Sequence, residues 1–316
     1  GELESLLLPR VARQLEAQVR ANLNDRERLL NSLRAYLMLN LEERRDAAFL
    51  QDWLAADWSL RYAGNGAAQR GLNSHFERLL AEPFNAYSLN GPLVAQARQV
   101  LRSESLANVV YRMLREQARS LPDYRLSQKL GPQASLFAGS DYAIPGFYTQ
   151  TGYKKLFVAQ GPDLVRVILR DNWVLGEGEN LSSNDLSRLL VEMEQLYFRD
   201  YANYWGEALA QLTLEPIGSA NQGALQLAGL TAANSPLLQL LVEVRDNTRF
   251  TGLAEAADGV GDAAEGLKGA KGKLGKAAKL AAAAAQQTQA ALVKSLPDTA
   301  RKTLERRFAP LHQLLD

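Results

Sequence analysis

Cysteine is absent from the 316 residues, which removes disulfides, thiolate metal ligands and cysteine nucleophiles together. Histidine is scarce: only His75 and His312 occur, at opposite ends of the chain. A Ser-His-Asp triad would have to be built on one of them, yet no G-x-S-x-G elbow is present, and neither an S-x-x-K pair nor an H-E-x-x-H helix appears. An excess of either charge is also missing. Lys+Arg total 36 against 35 for Asp+Glu, a net charge of +1, so no overall field recruits nucleic acid. No uninterrupted apolar run is long enough to cross a bilayer, and the first residues do not read as a signal peptide. A membrane-spanning segment is therefore not expected here.

What is present is helical periodicity. From Leu8 the apolar positions run Val11, Leu15, Val19 and Leu23, and Asn24 with Glu27 reads as a capping box opening a second helix carrying Leu29, Leu30, Leu33 and Leu37. The pattern resumes as Phe49 and Trp53, then Leu72, Phe76 and Leu79, then Leu106, Val110 and Met113. Breaks at Gly64 to Gly66 and at Gly91-Pro92 separate these stretches, with Pro92 suited to a first helical turn. Past Leu121-Pro122 the period fades until Gly146. Thr149 then suits a cap for a short helix with Tyr153, Leu156 and Phe157, and Gly161-Pro162 restarts one with Leu164, Val167 and Ile168. Ser182 with Asp185 opens what reads as the longest helix, striped by Leu186, Leu190, Met193, Tyr197, Tyr201, Tyr204 and Ala208. Glu215-Pro216 ends it, and Ser235-Pro236 starts another with Leu237, Leu240, Leu241 and Val244.

From Thr251 the composition shifts to glycine, alanine and lysine, with too little apolar surface to offset the entropy of ordering. The sequence thus predicts an all-α, multi-helical chain without strands: a helical subdomain over 1–125, a second with the aromatic-striped helix over 126–250, a partly helical linker over 251–296, and a terminal helical segment over 297–316 with Leu304, Phe308 and Leu311.

Each constellation of chemically capable residues has a plainer reading. IPGFYTQTGYKKLF (144–157) sets Gly146 and Gly152 before paired lysines. A phosphate-gripping loop, however, needs a lysine directly after its last glycine and then Ser or Thr, whereas Tyr153 stands there. A turn opening a helix fits better. His75 beside Phe76 reads as a helix-surface or core-edge residue. Glu42/Glu43 and Glu177/Glu179 are sequence neighbours, poorly placed to face each other across a cleft as glycoside hydrolysis requires. Lys268, Lys271, Lys273, Lys276 and Lys279 lack interleaved aromatics for stacking bases and read as solubilising. Trp53, Trp58, Trp173 and Trp205, with Tyr197, Tyr201 and Tyr204, have core spacing. No catalytic, metal or cofactor-binding residue is expected, and no interaction residue can be assigned by motif.

Several stretches in order along the chain resemble the IcmF/TssM family of the bacterial type VI secretion membrane complex. They are LPRVARQLEAQV, RAYLMLNLEERRDAAFLQDWLAADW, LVAQARQVLRSESLANVVYRML, IPGFYTQTGYKKLF, RDNWVLG, LYFRDYANYWGEAL and NSPLLQLLVEVRDNT. The resemblance implies the helical portion of a periplasmic region, a non-enzymatic scaffold between the inner membrane and the outer-membrane lipoprotein TssJ, with the inner-membrane subunit TssL and further copies of itself as partners. It implies no cofactor, nucleic acid or small-molecule substrate. The family's transmembrane helices and nucleotide loop have no counterpart here, so no NTPase activity carries over. Its β-rich lipoprotein-binding segment likewise has none. A helical cell-wall hydrolase and a cytoplasmic helical adaptor are the alternative readings.

If the aromatic stripe is core, Trp205→Ala is expected to cost about 3–5 kcal/mol, read as a lowered urea midpoint; an unchanged curve would refute the core assignment.

Overall fold

A computed structural model describes residues 2–178, 181–250 and 299–316. It is predominantly α-helical, and its packing divides the chain into two compact units: Gly1–Ser105 with Arg170–Glu179, and Leu106–Leu169 with Asn180–Asp316. The expected linker, its lysines included, lies outside the described residues.

In the first unit, α1 (Glu2–Ala21) packs on α2 (Arg26–Met38), α3 (Ala47–Arg61) on α4 (Gly66–Ala81), and α5 (Gly91–Arg102) on α2. The α1 stripe is buried at Leu8, Val11, Leu15 and Val19, opposite Leu29, Leu33 and Leu37 of α2. Asp25, Asp46, Asn65 and Asn90 cap α2 to α5, each side chain accepting the backbone N–H three residues on, which satisfies one orphan donor per helix. Asp25 therefore replaces the expected Asn24 as the cap, because the extended backbone that aims a cap side chain into the first turn falls at 25 (φ −123°). In α3 the buried face is Leu50, Leu54 and Trp58. Phe49 and Trp53, one residue out of phase, are half-buried and stack on each other at 6.1 Å.

The second unit is built on α6 (Leu106–Gln117), α7 (Leu126–Leu130), the short turn α8 (Gln150–Gly152) continued by a π-helical stretch (Tyr153–Val158) into α9 (Ala159–Leu169), and α10 (Ser183–Ala210). It continues with α11 (Ala220–Thr231) and α12 (Pro236–Thr248), and closes with α13 (Thr299–Leu315). At 28 residues α10 is about 42 Å long, and α6 and α13 pack along it. The wide π-turns immediately precede Pro162, whose ring cannot sit against a regular α carbonyl. One feature departs from the strand-free expectation: β1 (Phe137–Ala138) pairs antiparallel with β2 (Thr213–Leu214). Two residues per strand are too few to leave an alternating signature in a sequence.

The unit limits also differ from the expected division at 125/126. The buried face of α6 is Ala107, Val110, Tyr111 and Leu114, whereas Met113 of the expected stripe is 37% exposed. That face belongs to the second core. In turn, residues 170–179 belong to the first unit. Val174 is fully buried there, its carbonyl accepts from Arg98 Nε (2.9 Å), and Asp171 pairs with Arg34 at 2.5 Å.

Two glycine substitutions separate space from propensity. A Cβ at Gly152 would lie 2.2 Å from the Gly146 carbonyl oxygen and 2.5 Å from that of Phe147, whereas one at Gly71 in α4 meets nothing within 4 Å. Gly152→Ala is expected to destabilise by at least about 3 kcal/mol, and Gly71→Ala to stabilise by about 0.5–1 kcal/mol, both read by chemical denaturation.

Candidate functional site

The segment 144–157 wraps against one face of α10, joined to it by hydrogen bonds and ring contacts. Locally, glycine permits the wrap. The Gly146 Cα sits so close to the chain at 122 that a Cβ would lie 2.3 Å from the Pro122 carbonyl oxygen. Thr149 caps the following turn as expected: its Oγ1 accepts from Gly152 N (3.0 Å) and donates to the Gly146 carbonyl (2.8 Å).

The turn's own carbonyls face α10. Tyr197 Oη donates to Phe147 O at 2.6 Å, and Trp205 Nε1 donates to Tyr148 O at 2.8 Å. Tyr201 Oη donates to the Asn247 carbonyl on α12. Three side chains of the stripe, spaced i, i+4 and i+8, thus spend their polar tips on backbone oxygens while their rings fill the core. Tyr197, Tyr201 and Trp205 are each fully buried, and the bonds to Phe147 O and Tyr148 O are buried as well, so those two carbonyls would otherwise be desolvated without a partner. The rings reinforce this: Phe147 meets Tyr197 edge-on at 4.9 Å, and Phe157 lies 4.7 Å from the same ring.

Beneath the turn runs a polar chain. Tyr111 Oη on α6 donates to Asp200 Oδ2 (2.6 Å), and Tyr148 Oη donates in turn to Tyr111 Oη (2.7 Å). Tyr153 Oη donates to Glu194 Oε1 at 3.1 Å, with Glu194 only 2% exposed. At the far end Gln150 Nε2 donates to Arg249 O (2.7 Å), Thr248 Oγ1 and His312 Nε2 lie 2.8 Å apart, and Arg249 pairs with Asp316 at 2.5 Å, tying α8, α12 and α13 together.

Burial decides the titration of this cluster. It raises the Tyr148 hydroxyl to about 12 and holds Tyr197 and Tyr201 well above the usual tyrosine value. Tyr111 is raised by burial together with Tyr148 and Asp200, and Tyr124 by burial together with Glu243. His312 is lowered by burial and by the nearby Arg249.

Three N–H groups of this turn are already engaged within it. Tyr148 N donates to Pro145 O, Gly152 N to Thr149 Oγ1, and Tyr153 N to Thr149 O, while Lys154 and Lys155 point into solvent. Of the other sequence candidates, His75 is exposed on α4 in the first unit and His312 is buried on α13 in the second. Glu42, Glu43 and Glu177 are exposed and Glu179 lies outside the described residues. Trp58 and Trp205 are core, and Trp53 and Trp173 are half-buried. Among the described residues no three His, Cys, Asp or Glu side chains gather as a metal set. Sequence reasoning passed over Glu194 and Asp200. Glu194 stands four residues after Leu190 and three before Tyr197, on the buried stripe, and that spacing was the available signal. The arrangement is a mechanical clamp: it fixes one turn against one long helix.

A match to the IcmF-related family, described as intracellular multiplication and human macrophage-killing, covers residues 1–249. A curated relative, the type VI secretion system component TssM1 of Pseudomonas aeruginosa, is 30% identical over 256 residues, which is 78% of this chain but 23% of that protein. The chain therefore spans less than a quarter of this relative's length. No solved structure matches it.

The pH dependence follows from the signs of these shifts. A tyrosine raised above its unfolded value near 10 contributes stability that is complete below that pH and lost as pH rises through the folded value. His312, lowered, contributes stability present above about pH 6.5 and lost as pH falls through its folded value. Stability should therefore drop above about pH 10, with the phenolate absorbance of the buried tyrosines appearing together with unfolding, and should decline again below about pH 6.5. Gradual ionisation of all tyrosines near 10 in the folded chain would contradict the cluster.

Proposed function

The chain belongs to the IcmF-related family, and on that premise we propose that it is a structural, non-enzymatic component of the type VI secretion trans-envelope membrane complex. On this reading it is a periplasmic helical scaffold linking the inner membrane to the outer-membrane lipoprotein. The observation that carries the reading is the family match over residues 1–249, which takes in residues of both compact units, together with the likeness to TssM1.

The geometry supports a mechanical role. A strut must keep its length and its surfaces when pulled, which calls for long helices locked by interactions specific in direction as well as apolar in kind. The 28-residue α10 meets that need: Tyr197, Tyr201 and Trp205 are each held by ring contacts and a hydrogen bond to a backbone oxygen. Of the side chains richest in chemical possibility, Tyr111, Tyr148 and Asp200 are engaged with one another and Glu194 with Tyr153. The partners of such a scaffold are TssJ, TssL and further copies of the same protein, and it needs no cofactor.

The test is co-purification from the periplasm. The chain, exported with a cleavable signal and tagged, is expected to retain TssJ or TssL from cells expressing the secretion cluster. A chain with native circular dichroism that retains neither would overturn the scaffold reading for this region.

A further inference from the structure

A surface elsewhere in the second unit is anomalous by both sequence and structure. From Pro216 to Val242 there is no charged residue, in a chain where charged residues make up 22%. The same stretch has no aromatic residue. Such a run ordinarily lies inside a protein, yet this one is exposed. Of the twelve large hydrophobic side chains exposed among the described residues, six fall between 214 and 238: Leu214, Ile217, Leu225, Leu227, Leu237 and Leu238.

Their placement is one local body. Ile217 packs against Gly223 of α11, close enough that a Cβ there would meet it at 2.9 Å, and Gln226 Nε2 reaches the Glu215 carbonyl at 3.4 Å. Ser235 Oγ donates to Leu230 O at 2.6 Å across the break, where the helices bend by 47°. Helix α11 buries only Gly223 in its 12 residues. Leu225 and Leu227 lie about 200° apart on the helical wheel and are 75% and 61% exposed, so α11 is bare on both flanks. A helix this short is marginal in water without tertiary burial, and this one has neither charge pairs nor a buried stripe to hold it.

We propose that the bent α11–α12 pair carries a self-docking face, through which a second copy of this chain packs about a two-fold axis. Charge decides the occupant. A partner bearing Lys, Arg, Asp or Glu at its centre would bury that charge against a stretch, 216–242, with no counter-charge of its own, which is costly. The matching surface must itself be uncharged and apolar, and the corresponding face of another copy meets both conditions by construction, as a two-fold contact requires. Alanines 220, 224 and 228 recur at helical spacing and are exposed, so two α11 helices can approach closely. A lipid surface fits less well: the stretch has no Trp or Tyr and no basic residue for the headgroup region, and Pro236, Leu240, Val244 and Thr248 of α12 are already spent on the protein interior. The proposal deepens the scaffold reading and rests on it for its biological use alone.

The experiment is sedimentation equilibrium of the full chain and of Leu225→Glu/Leu227→Glu, both positions being exposed enough to leave the fold intact by circular dichroism. The wild type is expected to dimerise, and the variant to associate at least about a hundredfold more weakly, the consequence of burying unpaired charge. As the chain has no cysteine, Leu225→Cys introduces a unique thiol that should form a disulfide-linked dimer on mild oxidation, whereas Met113→Cys should not. A wild type that stays monomeric to about 100 µM, well above the range of specific association, would overturn the proposal. So would a variant that dimerises undiminished, or wild type captured by phosphatidylethanolamine–phosphatidylglycerol vesicles while monomeric. A monomer that still retains TssJ or TssL defeats this inference and leaves the scaffold reading standing; a dimer that retains neither does the reverse.

Discussion

The second unit depends on one interaction, the donation of side-chain hydrogens from α10 to the carbonyls of the turn at 147–148. Tyr197 and Trp205 reach Phe147 O and Tyr148 O from points about two turns apart on the helix, and the turn can present those oxygens only because Gly146 and Gly152 allow backbone to lie where a Cβ would collide. Removing the glycines displaces the carbonyls; removing the aromatics strands them in a dry interior. Each half makes sense only given the other, which is why the paired lysines of the same segment play no part in it.

From that clamp the surrounding packing follows. With Tyr148 fixed, its hydroxyl meets Tyr111, which fixes α6 through Asp200. With Tyr201 bound to the Asn247 carbonyl, the end of α12 is placed, and Thr248 and Arg249 then receive His312 and Asp316 of α13. The first unit uses a different device. There four side-chain caps set the helix starts, and Tyr36 bridges two helices and a loop, donating to Glu16 at 2.5 Å while accepting from Asn90 N. Its core is closed by a segment distant in sequence, with Val174 inserted and Arg34 and Arg98 holding its polar groups. Both devices serve the same end, in that directional bonds to backbone or to charge remove the freedom that apolar packing alone would leave. A protein proposed to bear load between membranes has use for that rigidity, and the charge-free run 216–242, through α11 into the start of α12, is where the second unit has an exposed apolar face left to offer.

How far the sequence reached is clearest residue by residue. Thr149 and Ser182 were legible as caps because capping chemistry is local, a side chain and an N–H three residues apart. The stripe Leu190, Met193, Tyr197, Tyr201 was legible because a helix repeats its face every 3.6 residues. Phase was less secure: in α3 Phe49 and Trp53 read as core beside Trp58, whereas Leu50 and Leu54 accompany Trp58 on the buried face, since one bulky residue weighs as much in a pattern as several smaller ones. The two-residue strands left no pattern at all.

The sequence by itself therefore determined the helical class, several helix starts, the buried aromatics Trp58, Tyr197, Tyr201 and Trp205 and the family resemblance, because each rests on residues near one another along the chain or on their order. Only the tertiary structure decided which core α6 joins, that residues 170–179 complete the first unit, that Glu194 and Asp200 accept from buried tyrosines, and that the charge-free stretch after Pro216 lies outside rather than within. Those outcomes turn on contacts between residues dozens of positions apart, where chain geometry and the competition for buried surface, not local preference, set the result.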